Sequence, residues 1–189
     1  MTTTLHDYWR SSAAYRVRIA LGLLGLDWDA VPVDLAKGDQ RDGQHLALNP
    51  QGLVPVLEID GLTLTQSLAI VEYLDETRDA GFLPADAPGR ARVRALAYAI
   101  AMEIHPVCNL RVARHATEAS AGAIGMEDWM RAFIGPGLEA FEALLDDEAM
   151  RGEQLAAMEL TMERLGRGGE PPGLRAARSV IGALEPRAA

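Results

Sequence analysis

Cysteine and lysine are almost missing from this chain of 189 residues, which has one of each, Cys108 and Lys37. A lone cysteine excludes an internal disulfide framework and suits a reducing compartment, so cytoplasm is the default expectation. Basic charge is also scarce. Acidic residues outnumber basic ones and leave a net charge of −9, which argues against nucleic acid or an anionic membrane as the main partner. Long apolar runs are absent too, and the N-terminus has no signal-peptide pattern, so no membrane segment is expected. The four histidines have no metal-ligand spacing, and no metal is expected. What remains is 49% hydrophobic and 24% charged, the composition of a globular protein long enough for one domain or two small ones.

One stretch organises the rest: Trp9-Arg10-Ser11-Ser12-Ala13-Ala14-Tyr15-Arg16-Val17-Arg18-Ile19-Ala20-Leu21. The residues before it, Leu5 to Trp9, read as a strand end, and the apolar residues after Ser12 recur at helical spacing until Gly25. Ser11 and Ser12 sit where strand hands over to helix. A seryl oxygen there caps orphan N–H groups, and the dipole and hydroxyl together suit an anion such as a thiolate. An N-cap with no further role is the competing reading of the same pair.

The run at 28–33 reads as a second strand, at an edge or ending at Pro32. Strand, helix and strand within about 30 residues form a βαβ unit with parallel strands. Residues 34–45 form a polar loop into a short helix before Asn49-Pro50. Residues 54–59 alternate like a strand, Asp60-Gly61 is a hairpin turn, and 62–64 is the return. Pro55 cannot donate to a ladder, so its neighbour's backbone is left for another extended chain, and a cis Val54–Pro55 bond would orient it. Ser67 is a candidate cap for the apolar helix that follows and ends before Gly81. A linker is expected at 81–89, rich in proline and glycine. One long helix is then expected at about 88–119, kinked at Pro106, and another at about 126–147, kinked at Pro136. The domains read as 1–80, α/β, and 90–189, all-α.

Four stretches, in order and in register, resemble the zeta-class glutathione transferases of the maleylacetoacetate isomerase kind. They are Ser11 to Leu21, Ala47-Leu48-Asn49-Pro50-Gln51-Gly52-Leu53-Val54-Pro55, Thr65 to Leu74, and Ile104-His105-Pro106-Val107-Cys108-Asn109-Leu110-Arg111. The resemblance covers about residues 3–147. It implies a thioredoxin-like N-terminal domain with Pro55 in cis, an all-helical C-terminal domain, glutathione as cofactor and a homodimer. By the same resemblance Ser11 stabilises the glutathione thiolate, and Ser12 supports it. Gln40 meets the glycyl end, the Val54 backbone pairs with the cysteinyl part, and Gln66 and Ser67 clamp the γ-glutamyl group. His105, Asn109, Leu110 and Arg111 lie where the second domain closes over the site. The implied reaction is cis–trans isomerisation of a dicarboxylic diketo acid, maleylacetoacetate or maleylpyruvate, in tyrosine or other aromatic breakdown. Arg10 and Arg111 are the candidates for the substrate carboxylates, because guanidinium offers bidentate geometry. Arg16 and Arg18 read as structural or surface residues, and Cys108 as packing. Two alternatives stay open: conjugation or dehalogenation of small α-halo acids, and a degenerate protein that binds glutathione without turnover.

After Asp147 the resemblance stops. The family's Thr-Leu-Ala-Asp capping box is missing, and a breaker run, Gly166-Arg167-Gly168-Gly169-Glu170-Pro171-Pro172-Gly173, leads to a short helical pattern at 174–184. The tail carries no net charge, so the whole −9 lies in the first 147 residues. With 17 arginines to one lysine, a GC-rich gene with a shifted frame or a divergent end accounts for such a tail.

Overall fold

The computed structural model describes residues 2–145, and the expectations for the tail, including a helix at 174–184, lie outside them. β1 (Thr4–Asp7), α1 (Ser12–Leu23) and β2 (Asp29–Pro32) make the βαβ unit, with β1 and β2 parallel. A 3-10 turn (Asp39–Arg41) and the short α2 (Gly43–Leu48) follow, then the hairpin β3 (Val56–Ile59) and β4 (Leu62–Thr65), then α3 (Ser67–Arg78). The strand order is β2-β1-β3-β4, with β3 antiparallel to both its neighbours. β2 lies at an edge and is exposed throughout, as Pro32 suggested.

The period-2 pattern of β1 buries Leu5 and Asp7. The helical period of α1 buries Ala13, Ala14, Val17, Ala20 and Leu21 on one stripe. Leu5, Val17, Ala20 and Leu21 pack with Leu57, Ile59, Ile70 and Leu74 into a single core. Each fully buried aliphatic side chain contributes about 2 kcal/mol of apolar burial.

The helical region departs from expectation at three places. The linker is shorter, because Asp86 accepts from the Gly89 amide at 2.7 Å and starts α4 (Ala87–Tyr98), with Pro88 in its first turn. The long helix is broken rather than kinked. α4 runs into a π-helical turn (Ala99–Ile104), in which the His105 amide donates to the Ile100 carbonyl. Pro106 has no N–H to continue the ladder, and Asn109 then caps a new helix, α5 (Leu110–Ala119). α6 (Met126–Leu145), by contrast, continues through Pro136. Its Gly137 permits a close approach to the π-turn, since a Cβ there would lie 2.6 Å from the Ile104 side chain.

Two polar ties join the α/β part to the helices. Asp75, buried in α3, accepts from the Phe82 and Leu83 amides at 2.7 and 3.2 Å. Glu72 of α3 receives a bidentate guanidinium from Arg94 of α4 at 3.0 and 2.6 Å. The Arg94 hydrogen bonds hold the Glu72 carboxyl below its ordinary value. A depressed carboxyl stabilises the fold above its unfolded value of about 4.5, and that contribution is lost as pH falls through the folded value. Glu72→Gln is therefore expected to lower stability at pH 7 by about 1 kcal/mol, the upper range for a partly exposed pair. Denaturant melts should find that difference gone near pH 3. A difference that persists there would assign the effect to packing.

Candidate active site

The ends of the α/β elements and the π-turn enclose a cavity of about 530 Å³. Of the residues singled out in the sequence, Val54, Pro55, Gln66, Ser67, His105, Asn109 and Arg111 line it. Ser11, Ser12, Gln40 and Arg10 are not among the lining residues. Among the described residues no carboxylate faces the cavity, and two arginines, Arg16 and Arg111, do. In a chain of net charge −9 this is a local cationic pocket.

Ser11 is the N-cap of α1, and its Oγ accepts from the Ala14 amide at 3.2 Å. That bond leaves the hydroxyl proton free to be donated, at the positive end of the helix. Ala13, two residues on, lines the cavity. Ser12 is exposed as the first helical residue. The turn holding Ser11 is fixed by Arg18, which donates to Asp7 at 2.6 Å and to the Trp9 carbonyl at 3.2 Å, in keeping with a structural role. Arg10 is exposed and its guanidinium lies over the Trp9 ring, 5.5 Å from the centroid.

Val54 presents its backbone as expected. Val54–Pro55 is cis, β3 begins only at Val56, and among the described residues no hydrogen bond engages the Val54 amide or carbonyl. The preceding carbonyl, of Leu53, is pinned by Asn49 Nδ2 at 2.9 Å and by His45 Nε2 at 3.0 Å. Gly52 has φ +61°, and a Cβ there would sit 2.9 Å from the Gln40 carbonyl, so glycine is required. Gln40 thus buttresses this loop from the 3-10 turn, and its Oε1 is buried without a partner among the described residues.

Ser67 is not the cap of α3 but its first residue. Gln66 holds the cap position at φ +66° and ψ 108° with no side-chain cap bond, the backbone conformation that turns the chain out of β4. An L-residue held there is strained, as binding sites often require. The first amides of α3 are left open to an anion. Gln66 Nε2 donates to Gln51 Oε1 at 2.9 Å, which adds Gln51 to the wall.

Arg16 overturns its assignment as structural or surface. It is half-buried, lines the cavity, donates from Nη1 to Ser67 Oγ at 3.0 Å, and sets Nη2 3.4 Å from His105 Nδ1. Among the described residues it has no carboxylate partner. Burial pushes its pKa down, and burial followed by the Arg16 charge pushes that of His105 down. Asn109 Oδ1 is used in capping, accepting from the Arg111 amide at 3.1 Å, which leaves its Nδ2 as donor. Burial raises the Cys108 thiol, which supports packing over nucleophilic chemistry. Tyr98, Ala101 and Met102 also line the cavity. Helical spacing gave no sign of them, because the π-turn sets which side of the helix they face.

A cationic cavity with an unpaired backbone edge, an open helix start and a capped hydroxyl, set on a thioredoxin-like sheet with helices after it, defines a glutathione transferase architecture. Residues 1–76 match the family described as glutathione S-transferase, N-terminal domain. The chain is 62% identical over 149 residues to the maleylacetoacetate isomerase of Rhizobium meliloti (strain 1021), covering 78% of this chain and 70% of that one. It is 40% identical over 150 residues to the maleylpyruvate isomerase of a Ralstonia species, covering 78% and 71%. A holo structure of maleyl pyruvate isomerase, described as a bacterial zeta-class glutathione S-transferase, superposes with a TM-score of 0.73 at 39% identity, covering 77% and 69%. Maleylacetoacetate isomerase from Anaeromyxobacter dehalogenans 2CP-1, with bound dicarboxyethyl glutathione and citrate, superposes with a TM-score of 0.66 at 43% identity, covering 77% and 68%. The chain belongs to the zeta-class glutathione transferases, in their maleylacetoacetate isomerase family.

Proposed function

We propose that this protein is a glutathione-dependent isomerase that converts a cis dicarboxylic diketo acid, maleylacetoacetate or maleylpyruvate, to its trans isomer. The observation that carries the reading is a cavity lined, among the described residues, by two arginines and no carboxylate, beside a backbone edge at Val54 that those residues leave unpaired. Glutathione is an extended anionic peptide, and this donor set fits it: an edge for its peptide groups, the α3 start for its γ-glutamyl carboxylate, and a helix-capping hydroxyl for its sulfur. When bound, it supplies a thiolate that adds reversibly to the double bond and so permits rotation.

The chain's own residues then have distinct tasks. Ser11 donates its hydroxyl proton toward the sulfur, and the α1 dipole adds to the stabilisation. Lowering a thiol pKa from about 8.5 by about 2 units takes roughly 2.7 kcal/mol, within reach of one charge-assisted hydrogen bond and a dipole. Val54 offers an amide and a carbonyl to the cysteinyl part, and Gln66 and Ser67 hold the γ-glutamyl end. Arg111 is the cavity cation left for a substrate carboxylate, with Asn109 Nδ2 as a neighbouring donor. Gln40 serves this site through the Gly52 loop it packs against, and Ser12 through the start of α1. The dicarboxyethyl glutathione bound by the Anaeromyxobacter protein supports the reading, since its sulfur carries a two-carbon dicarboxylate of the size of the group that must be attacked here.

A cytoplasmic homodimer completes the proposal. The free Cys108 supports the reducing compartment, and the family supports the dimer. Among the described residues no helix is long and apolar enough to cross a membrane. The second reading is the dehalogenation of small α-halo acids at the same cavity. Incubating the protein with maleylacetoacetate, with and without glutathione, tests the reading. The fumaryl isomer is expected only when glutathione is present, at a rate well above that with dichloroacetate. Faster dichloroacetate turnover would move the assignment to the transferase reading.

A further inference from the structure

Among the described residues, the Arg16 guanidinium is the one cavity cation that touches two other polar lining residues, one on each side of the site. It reaches Ser67 at the start of α3 and His105 at the end of the π-turn. Guanidinium has five N–H donors and no acceptor. Each partner must therefore accept from it: Ser67 through Oγ and His105 through Nδ1. Both partners are amphoteric when left alone. Once Oγ accepts from Arg16, the Ser67 proton points to something else. Once Nδ1 accepts, the neutral His105 ring carries its proton on Nε2, which has no hydrogen bond among the described residues.

We infer that Arg16 is a positioning residue, which turns Ser67 and His105 into hydrogen-bond donors facing the anionic end of glutathione. The inference rests on the glutathione reading above. It explains why a half-buried cation without a carboxylate partner among the described residues is kept at this place. Its charge is balanced by the ligand and not by the protein. The lowered pKa of His105, owed first to burial and then to the Arg16 charge, is in keeping with this.

The test is the ring tautomer of His105 by long-range 1H–15N NMR at neutral pH, assigned with His105→Gln, together with glutathione titrations of wild type, Arg16→Met, Ser67→Ala and the double variant. Wild type is expected to hold His105 as the Nε2–H tautomer alone. In Arg16→Met the two tautomers should mix, and glutathione affinity should fall about 10- to 100-fold, the range for losing charge-assisted hydrogen bonds. The double variant should lose much less than the product of the single losses, because Arg16 acts in part through Ser67. An Nδ1–H tautomer in wild type overturns the inference even where Arg16→Met does not fold. So does a folded Arg16→Met that binds glutathione as wild type does. Wild-type protein that ignores glutathione overturns the functional reading itself, an outcome distinct from both.

Discussion

Replacing Ser11 with alanine is expected to lower kcat/KM for the isomerisation about 10- to 25-fold at pH 7, because a bound thiol ionising about 2 units below 8.5 is mostly thiolate there and one ionising nearer 8.5 is only a few per cent thiolate. Two effects are mixed in this variant, and they separate by their pH dependence. The cap bond to the Ala14 amide is also lost, which costs roughly 1 kcal/mol of stability at every pH. Loss of thiolate stabilisation behaves differently. In wild type the bound sulfur ionises below its ordinary value of about 8.5, and in the variant nearer that value, with only the α1 dipole left to lower it. At pH 7 the variant therefore holds mostly thiol, whereas above pH 9 both proteins hold thiolate. The ratio of wild-type to variant rates should shrink steeply between those two values. A ratio that is constant with pH would mean that Ser11 positions the helix start without acting on sulfur.

Arg18→Met should be the most destabilising of the single polar changes considered, by about 3 kcal/mol at pH 7, or around 10 °C in Tm for a chain of this size. Asp7 is 7% exposed, with Oδ1 buried and without a partner among the described residues, so Arg18 at 2.6 Å is the main interaction that offsets its burial. Desolvation is the largest influence on Asp7 and raises its pKa, with the Arg18 charge and hydrogen bond opposing it. Without Arg18 the folded value rises further above the unfolded one of 3.8. A carboxyl raised on folding binds its proton more tightly in the native state, so stability falls as pH rises through that window. The Arg18→Met penalty should accordingly be small near pH 4 and full at pH 7. Adding Asp7→Asn should recover a large part of it. Because Arg18 also holds the Trp9 carbonyl, the variant loosens the turn that carries Ser11, and weaker glutathione binding is expected alongside.

The parts of this protein visible in the sequence are those written in local signals. A strand, a Ser-Ser seam and an amphipathic helix announced α1 and its cap. Asn49-Pro50-Gln51-Gly52 and Pro55 announced the loop that bares Val54, and Asp60-Gly61 announced the hairpin. Arg16 was not visible, because a helix's period says which side is apolar and nothing about which polar residue another domain will cover. Arg10, one residue before the seam, looks equally good from sequence, and it is exposed and stacked on Trp9. The break at Ala99–Ile104 was hidden for a related reason. A π-turn adds a residue without any change in composition, and Pro106 reads equally as a kink or a stop. Ser67 was misplaced by one position, since the positive φ of Gln66 is a property of the turn out of β4 and glutamine gives no sign of it.

A crystal of this protein grown with glutathione tests the central claim most directly. The account predicts the cysteinyl sulfur in hydrogen-bond contact with Ser11 Oγ, the cysteinyl peptide groups paired with the Val54 backbone, and the γ-glutamyl carboxylate at the start of α3. Sulfur lodged at Cys108 or Arg111, with Ser11 bonded only to the Ala14 amide, would contradict it.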